Sequence, residues 1–173
     1  GPGATIGTAI STTEIFLKKK DPEWELIETR TTAGTDEIIF TDLGGWSEIK
    51  VIGTPNVSRD DSSGNSIQVF VSDDNGTTYL TTNDYVAGPS SLTGDSIYIH
   101  TNMIGQGYLA FSIEDFNSAV NPIKMVRTLG ATTSALNSPF SYNPLNAFKI
   151  EVTWSTGNHY FRNGYPISVY GKR

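Results

Sequence analysis

The stretch that decides the fold class is Ile-Gln-Val-Phe-Val-Ser-Asp-Asp-Asn-Gly-Thr-Thr-Tyr-Leu, residues 67–80. In its first half Ile67, Val69 and Val71 share one side of an extended chain, which is the period-2 pattern of a strand buried on one face. The Asp-Asn-Gly cluster that follows favours a tight turn, because Asn and Gly readily adopt the positive φ angles that a two-residue turn requires. Residues 80–82 then supply a returning strand, so the stretch predicts a β-hairpin.

Alternation of this kind recurs along the whole chain. The segments that show it are residues 38–40, 49–51, 67–71, 97–100, 109–113, 148–154 and 167–170. Turn-forming clusters separate them. About ten short strands at this spacing predict an all-β fold, an antiparallel β-sandwich with a jelly-roll-like arrangement. Only residues 114–120 indicate a helical turn, which Pro122 would end.

The composition agrees with a β-rich chain of one domain. Of the 173 residues only 17% are charged and 17 are glycines, which is typical of a protein with many strands and turns. We interpret residues 1–3 as the remnant of a purification tag and residues 4–20 as a lead-in segment or first strands. Residues 21–173 then form a single β-sandwich domain. Since the chain lacks an initiator Met, we expect it to be excised from a longer protein.

Charge and composition argue against several classes of partner. The net charge is −6, and the sequence has no basic stripe that could bind phosphate groups, so we expect no nucleic-acid partner. No apolar run approaches the ~20 residues of a membrane span, so we expect no membrane insertion. The chain has no cysteine and therefore no disulfide or thiolate metal site.

The sequence offers little for catalysis. The only histidines are His100 and His159, and neither accompanies a Gly-x-Ser-x-Gly elbow. His159 lies in a turn-rich segment and is predicted to be exposed. Adjacent carboxylates occur at turns and strand ends, where solvated acids are expected. Oxygen-rich turns at residues 60–65 and 73–75 lack the EF-hand spacing. We therefore predict no catalytic residue, no metal, no cofactor and no enzymatic activity.

Aromatic side chains indicate where a ligand could bind, because sugar rings stack on exposed aromatic faces. Trp24 is in phase with Leu26, and Trp154 with Phe148, so both tryptophans are predicted to lie in the core. The aromatics of the turn-rich segments 131–146 and 155–165 are better placed for a ligand. The predicted ligand-binding residues in these segments are Tyr142, Asn143, His159, Tyr160, Arg162 and Tyr165.

The turn at residues 72–79 has the spacing Ser-x-Asp-x-Gly-x-Thr-aromatic. This resembles the Asp-box hairpin of sialidases and many unrelated β-proteins. The resemblance implies a folding device in which Ser and Asp side chains close the turn and the aromatic packs beneath it. The residues predicted to play this structural role are Ser72, Asp73, Asn75, Gly76 and Tyr79.

A broader pattern spans residues 37–171. Its parts are residues 39–49, 68–79, the pair Asp84-Tyr85, residues 146–150 and residues 164–171. Together they resemble the β-sandwich domains at the ends of tail-fibre and other virion proteins of tailed bacteriophages. All the matching positions are strand and turn positions, so no catalytic residue is carried over. Pro166, in the closing strand, suggests an edge position in a sheet.

The resemblance implies a non-enzymatic virion protein that is assembled in the bacterial cytoplasm and exposed outside the host. Its partners would be other virion proteins and a bacterial surface glycan or protein, and it would form a homotrimer if it caps a fibre. Three alternatives stay open: a capsid decoration or baseplate structural protein, a carbohydrate-binding module of a secreted enzyme, and a depolymerase.

Overall fold

The computed structural model describes residues 23–58, 65–81, 85–87, 93–94, 96–103, 105–120, 124–128, 133–136, 143–153 and 159–173. Within these ranges the chain forms fifteen strands and no helix, which confirms the all-β prediction. The number exceeds the ten expected because several strands span only two or three residues. The strands are β1 Glu25–Thr31, β2 Glu37–Phe40, β3 Glu48–Gly53, β4 Asn56–Ser58, β5 Asn65–Ser72, β6 Tyr85–Ala87, β7 Thr93–Gly94, β8 Ile97–Met103, β9 Gly105–Gln106, β10 Leu109–Ile113, β11 Val126–Thr128, β12 Thr133–Leu136, β13 Ala147–Thr153, β14 Tyr160–Phe161 and β15 Pro166–Lys172.

The strands pair into three antiparallel sheets. The largest has eight strands in the order β1-β15-β3-β10-β11-β12-β6-β7, and the second has four in the order β2-β13-β5-β8. A third, small sheet has the order β14-β4-β9. Neighbours in the large sheet come from distant parts of the sequence, since β15 pairs with both β1 and β3. The arrangement is the sandwich-like antiparallel fold that the alternation predicts.

Side-chain alternation explains why these segments became strands. In β3 the residues Ile49 and Val51 are fully buried, whereas Lys50 and Ile52 between them are only half-buried. The same period appears in β10 and β15, the strands on either side of β3. Each strand therefore directs one row of apolar side chains into the core and a second row outwards.

Aromatic contacts join the two larger sheets. The ring of Phe148 in β13 stacks on Phe40 of the neighbouring β2, with ring centroids 4.9 Å apart. The edge of the same ring meets Phe111 of β10 in the eight-stranded sheet, at 6.0 Å and 83°. Both geometries are favoured by the aromatic quadrupole. Phe148 thus lies where the two sheets face each other.

The turn after β5 has the predicted backbone but not the predicted second strand. Asn75 and Gly76 have φ angles of 59° and 85°, and the Thr77 amide donates to the Asp74 carbonyl at 3.4 Å, as in a type I′ turn. The returning chain makes a backbone hydrogen bond from Leu80 to Val71 at 2.9 Å, yet residues 80 and 81 are not a strand. Because β5 already pairs with β13 and β8, both of its edges are taken over most of its length. The hairpin prediction was wrong in this respect.

The assignment of Trp24 and Leu26 to the core was also wrong. Leu26 is 58% exposed and Trp24 is half-buried. The pairing of β1 with β15 shifts register between Leu26 and Glu28, and Ile27 packs against the core instead. Trp154, the other tryptophan predicted in the core, lies outside the described residues, as do residues 1–22.

Two further local predictions were also wrong. Pro166 is not in an edge strand, because β15 lies between β1 and β3; it is tolerated as the first residue of the strand.

Residues 114–117 form a turn rather than a helix, and Asp115 has a φ of 54°, which no regular right-handed helix contains. The buried Lys124 donates to the carbonyls of Asp115 at 2.9 Å and Ser118 at 2.6 Å, and this holds the turn in place.

Candidate ligand-binding face

The Asp-box-like turn is closed by Ser72 and Asp74. The Ser72 hydroxyl accepts from the Gly76 amide at 2.9 Å and donates to Asp74 Oδ1 at 2.7 Å. Asp74 accepts from the Thr78 hydroxyl at 2.5 Å and from the Thr78 amide at 2.8 Å. The bonds from Thr78, and then the one from Ser72, lower the pKa of Asp74 from 3.8 to about 2. The closing carboxylate is therefore that of Asp74, the Asp of the Ser-x-Asp spacing, and not that of Asp73, the residue predicted for this role.

The remaining members of the turn tie it to the rest of the fold. Asp73 Oδ2 accepts from Asn143 Nδ2 at 2.7 Å. The Asn75 side chain accepts from the Asp42 amide at 2.8 Å and donates to the Asp42 carboxylate at 2.9 Å. Tyr79 has its hydroxyl buried next to Gly76, and burial raises its pKa. These contacts are those of a folding device.

The predicted ligand-binding residues fall into two places. Tyr160, in β14, pairs with Ser58, and the Tyr165 hydroxyl accepts from Asn56 Nδ2 at 2.9 Å, so both lie against β4. Arg162 is exposed beside them. Asn143 is elsewhere, bonded to the Asp73 turn, and Tyr142 lies outside the described residues.

His159 differs from its prediction. It is only 6% exposed, so the expectation of an exposed histidine is wrong. The residue directly precedes β14, which pairs with β4 in the small third sheet. A ligand-binding role for this loop stays a prediction.

The outward face of the four-stranded sheet carries a lysine between two glutamates. Lys149 Nζ lies 2.9 Å from Glu151 and 3.1 Å from Glu37, and it also lies over the rings of Phe70 and Tyr79. Burial alone would lower the pKa of Lys149, but its hydrogen bonds and the charges of both glutamates raise it overall. Both carboxylates are thus engaged in ion pairs with Lys149 on the sheet surface.

The outward face of the eight-stranded sheet is different in character. One cross-strand row runs over five neighbouring strands, as the register of β1, β15, β3, β10 and β11 shows. At a strand spacing of about 4.8 Å the row is about 19 Å long. Its members are Leu26, Tyr170, Lys50, Ser112 and Arg127. The row combines two cations, an aromatic ring and a hydroxyl on an accessible sheet surface.

Trp24 positions two lysines on this face. Lys50 Nζ lies 4.3 Å and Lys172 Nζ 4.6 Å from the centroid of the Trp24 ring. Lys50 also lies 5.5 Å from the ring of Tyr170. Within the part of the chain that the structure describes, neither lysine has a carboxylate within ion-pair distance. Cation–π attraction therefore holds both ammonium groups without neutralising their charge.

A groove opens beside Lys50 on the same sheet. Its volume is about 340 Å³, within the usual range of small-ligand sites. Tyr108 at its rim is 56% exposed, and Arg127 is paired with Glu114 at 2.6 Å on the surface, which raises the pKa of Arg127. The groove is lined by Lys50, Ile52, Tyr108, Ala110, Phe111, Arg127 and Thr128. The lining joins apolar surface to two cations.

The residues of this face are not among those predicted from the sequence to bind a ligand. The alternation of Ile49 and Val51 with Lys50 and Ile52 does signal that the latter pair faces outwards. Nothing in the sequence shows, however, that Lys50 lies between Tyr170 and Ser112, because those neighbours are separated from it by many residues.

Comparisons with known proteins identify no family. No protein-family model and no curated protein matches the chain. One solved structure is similar at a TM-score of 0.35, an alginate lyase from Pseudomonas aeruginosa. It is 12% identical, over 78% of this chain and 68% of the other. A likeness at that TM-score carries no argument about fold or function.

In the ranges that the structure covers, no three His, Cys, Asp or Glu side chains are grouped so that they could hold a metal ion. Over the same ranges no helix is long and apolar enough to cross a membrane.

Proposed function

We propose that this chain is a non-enzymatic binding module that holds a bacterial cell-surface glycan against the outward face of its eight-stranded sheet. We place it in a phage virion, as a receptor-binding domain of tail-fibre type. The observation that supports binding is the groove beside the row of Tyr170, Lys50 and Arg127. The virion assignment rests on the resemblance of residues 37–171 to virion β-sandwich domains.

The face has the chemistry that a glycan requires. The exposed ring of Tyr108 offers an apolar surface to the C–H face of a sugar. The hydroxyl groups of Ser112 in the row and Thr128 in the groove lining can bond to sugar hydroxyls. Since all the lining residues except Tyr108 lie in paired strands, little ordering is needed on binding.

The contacts of the described residues favour this face as the ligand-binding site over the loop residues that were predicted from the sequence. Tyr165 and Asn143 already use their side chains in hydrogen bonds within the fold. Lys50 and Lys172, by contrast, present charges without a carboxylate partner in the described ranges.

Binding of the labelled protein to intact bacteria and to their purified surface polysaccharides tests the proposal. Tyr108→Ala is expected to weaken binding at least tenfold. Tyr98→Ala is the matched control, since Tyr98 is 49% exposed on the other large sheet. No binding to any cell or polysaccharide, or equal loss in both variants, would overturn the proposal.

The virion assignment needs its own measurement. A receptor-binding tip of a fibre is expected to be a homotrimer that contacts other virion proteins, so the mass from light scattering should equal three chains at all concentrations. The same open face also fits a carbohydrate-binding module of a secreted enzyme. A monomer that binds polysaccharide but does not compete with any phage for its host would favour that second function.

A further inference from the structure

We infer that the groove beside Lys50 takes an acidic glycan, one whose sugars carry carboxylate or sulfate groups. The inference rests on the proposed function and specifies the class of its ligand. It starts from the charge of the groove: Lys50 and Arg127 line it, and no carboxylate is among the described residues that do.

This local charge contrasts with the rest of the molecule. The chain carries 18 acidic and 12 basic residues, so its net charge of −6 repels anions at long range. A groove with two cations in an acidic protein therefore selects for a specific anionic ligand rather than for polyanions in general. Screening by salt should weaken the attraction without abolishing a site that also has apolar contacts.

The spacing of the two cations suits a sugar unit. Lys50 and Arg127 occupy the same cross-strand row with only Ser112 of β10 between them. Two strand steps correspond to about 10 Å between their backbones. An acidic group can reach either cation, while Ile52 and Tyr108 contact the apolar face of the ring.

The two cations, Lys50 and Arg127, have different partners in the fold. Trp24 and Tyr170 hold the Lys50 ammonium group in place without a counter-charge. Arg127 is paired with Glu114, which has a side chain 34% exposed and would compete with an acidic ligand. Removing the Glu114 charge should therefore strengthen binding, an outcome that a merely structural ion pair would not produce.

The experiment compares related sugars that differ in charge. Immobilised galacturonate, sialylated and sulfated oligosaccharides are presented beside their neutral galactose and glucose counterparts, and dissociation constants are measured for every member that binds. We expect acidic members to bind at least tenfold more tightly than neutral ones at 150 mM salt. The carboxylated and sulfated members distinguish the two possible acidic groups.

Variants then locate the site. Lys50→Met and Arg127→Gln should each lose about tenfold in affinity for the acidic sugar, Lys50→Arg should retain most of it, and Glu114→Gln should gain several-fold. Arg173→Gln is the control, an arginine whose side chain is 64% exposed and which does not line the groove. Thermal melting of each variant shows whether it is folded.

Each of the other possible results would overturn one stated part of the inference or of the proposed function. Binding of neutral glycans alone, with loss in Tyr108→Ala, would overturn the acidic ligand and leave the proposed function standing. Acidic binding that is unchanged in Lys50→Met and Arg127→Gln would overturn the groove as its site. Equal binding to heparin and to unrelated polyanions that vanishes at 150 mM salt would also overturn the inference. Absence of all glycan binding would overturn the proposed function with it.

Discussion

The Ser72 hydroxyl donates a hydrogen bond of 2.7 Å to Oδ1 of Asp74, two residues further along the chain. The same hydroxyl accepts from the Gly76 amide at 2.9 Å, while Asp74 accepts twice from Thr78. Four residues therefore close the loop without any help from a second sheet strand. The ionised carboxylate accepts these bonds more strongly than the protonated acid does, which makes the turn sensitive to acid.

Asp74→Asn is predicted to remove a pH-dependent contribution to stability. The folded-state pKa of Asp74, about 2, lies below its ordinary value of 3.8, so its contribution is present above pH 3.8 and is lost as the pH falls towards 2. The wild type should melt higher than the variant at pH 6, and the difference should shrink between pH 4 and pH 2. Melting curves across this range, with Glu23→Gln as a solvent-exposed control, check the prediction. A difference that is constant with pH would contradict it.

Gly171→Ala is predicted to destabilise the fold by about 1–3 kcal/mol, the usual cost of overpacking. A Cβ atom at Gly171 would lie 2.4 Å from the Trp46 ring and 2.9 Å from Ile27 Cδ1, so the indole must move. The Arg173 guanidinium lies 4.2 Å from the centroid of the Trp46 ring, so a shift of the indole would also disturb that contact. Urea unfolding measures the cost. At Gly45 the nearest atom would be 3.7 Å away, so Gly45→Ala should change stability much less.

Phe148→Ala is predicted to cost about 3–5 kcal/mol, as for other buried aromatic truncations. The ring is fully buried and contacts Phe40 and Phe111, so its loss leaves a cavity between the two large sheets. Phe70→Ala is the control, because Phe70 faces outwards from the adjacent strand and is only half-buried. Denaturant unfolding should show the larger loss for Phe148, and equal losses would refute its place between the sheets.

Lys124→Met is predicted to destabilise the protein by about 2–4 kcal/mol. The substitution keeps an unbranched side chain that is one atom shorter but removes the donor that bonds the carbonyls of Asp115 and Ser118. Losing a charged donor from a buried site leaves polar groups unsatisfied. Burial also lowers the pKa of Lys124, since the ammonium group has little access to water. Chemical unfolding checks the loss. A variant as stable as the wild type would contradict the prediction.

Much of the fold could be read from local patterns. The period-2 alternation of Ile49 with Lys50, and of Phe148 with Lys149, identified which side chains of a strand are buried. The positive φ angles of Asn75 and Gly76 followed from their residue types. These features depend only on neighbours in the chain, which is why they were predictable.

Predictions from local patterns were wrong where pairing between strands distant in sequence determined the position of a residue. Leu26 has the phase of a core residue, but the register shift in β1 directs it to the surface beside Tyr170. Pro166 suggested an edge, yet its strand is central because β1 and β3 pair with both sides. His159 lies in a turn-rich segment and is nevertheless buried at the edge of the small sheet.

The sequence by itself determined that this chain is an acidic, antiparallel β protein without cysteine chemistry. The net charge and the lack of cysteine follow from composition, and the strands follow from the alternation of neighbouring residues. Only the tertiary structure decided that Lys50 would lie near Trp24 and Tyr170, across the row from Arg127. Strand order and register set those neighbours, and both depend on how the two large sheets bury their apolar faces together. The candidate binding face is therefore a product of pairing between strands that are remote in sequence.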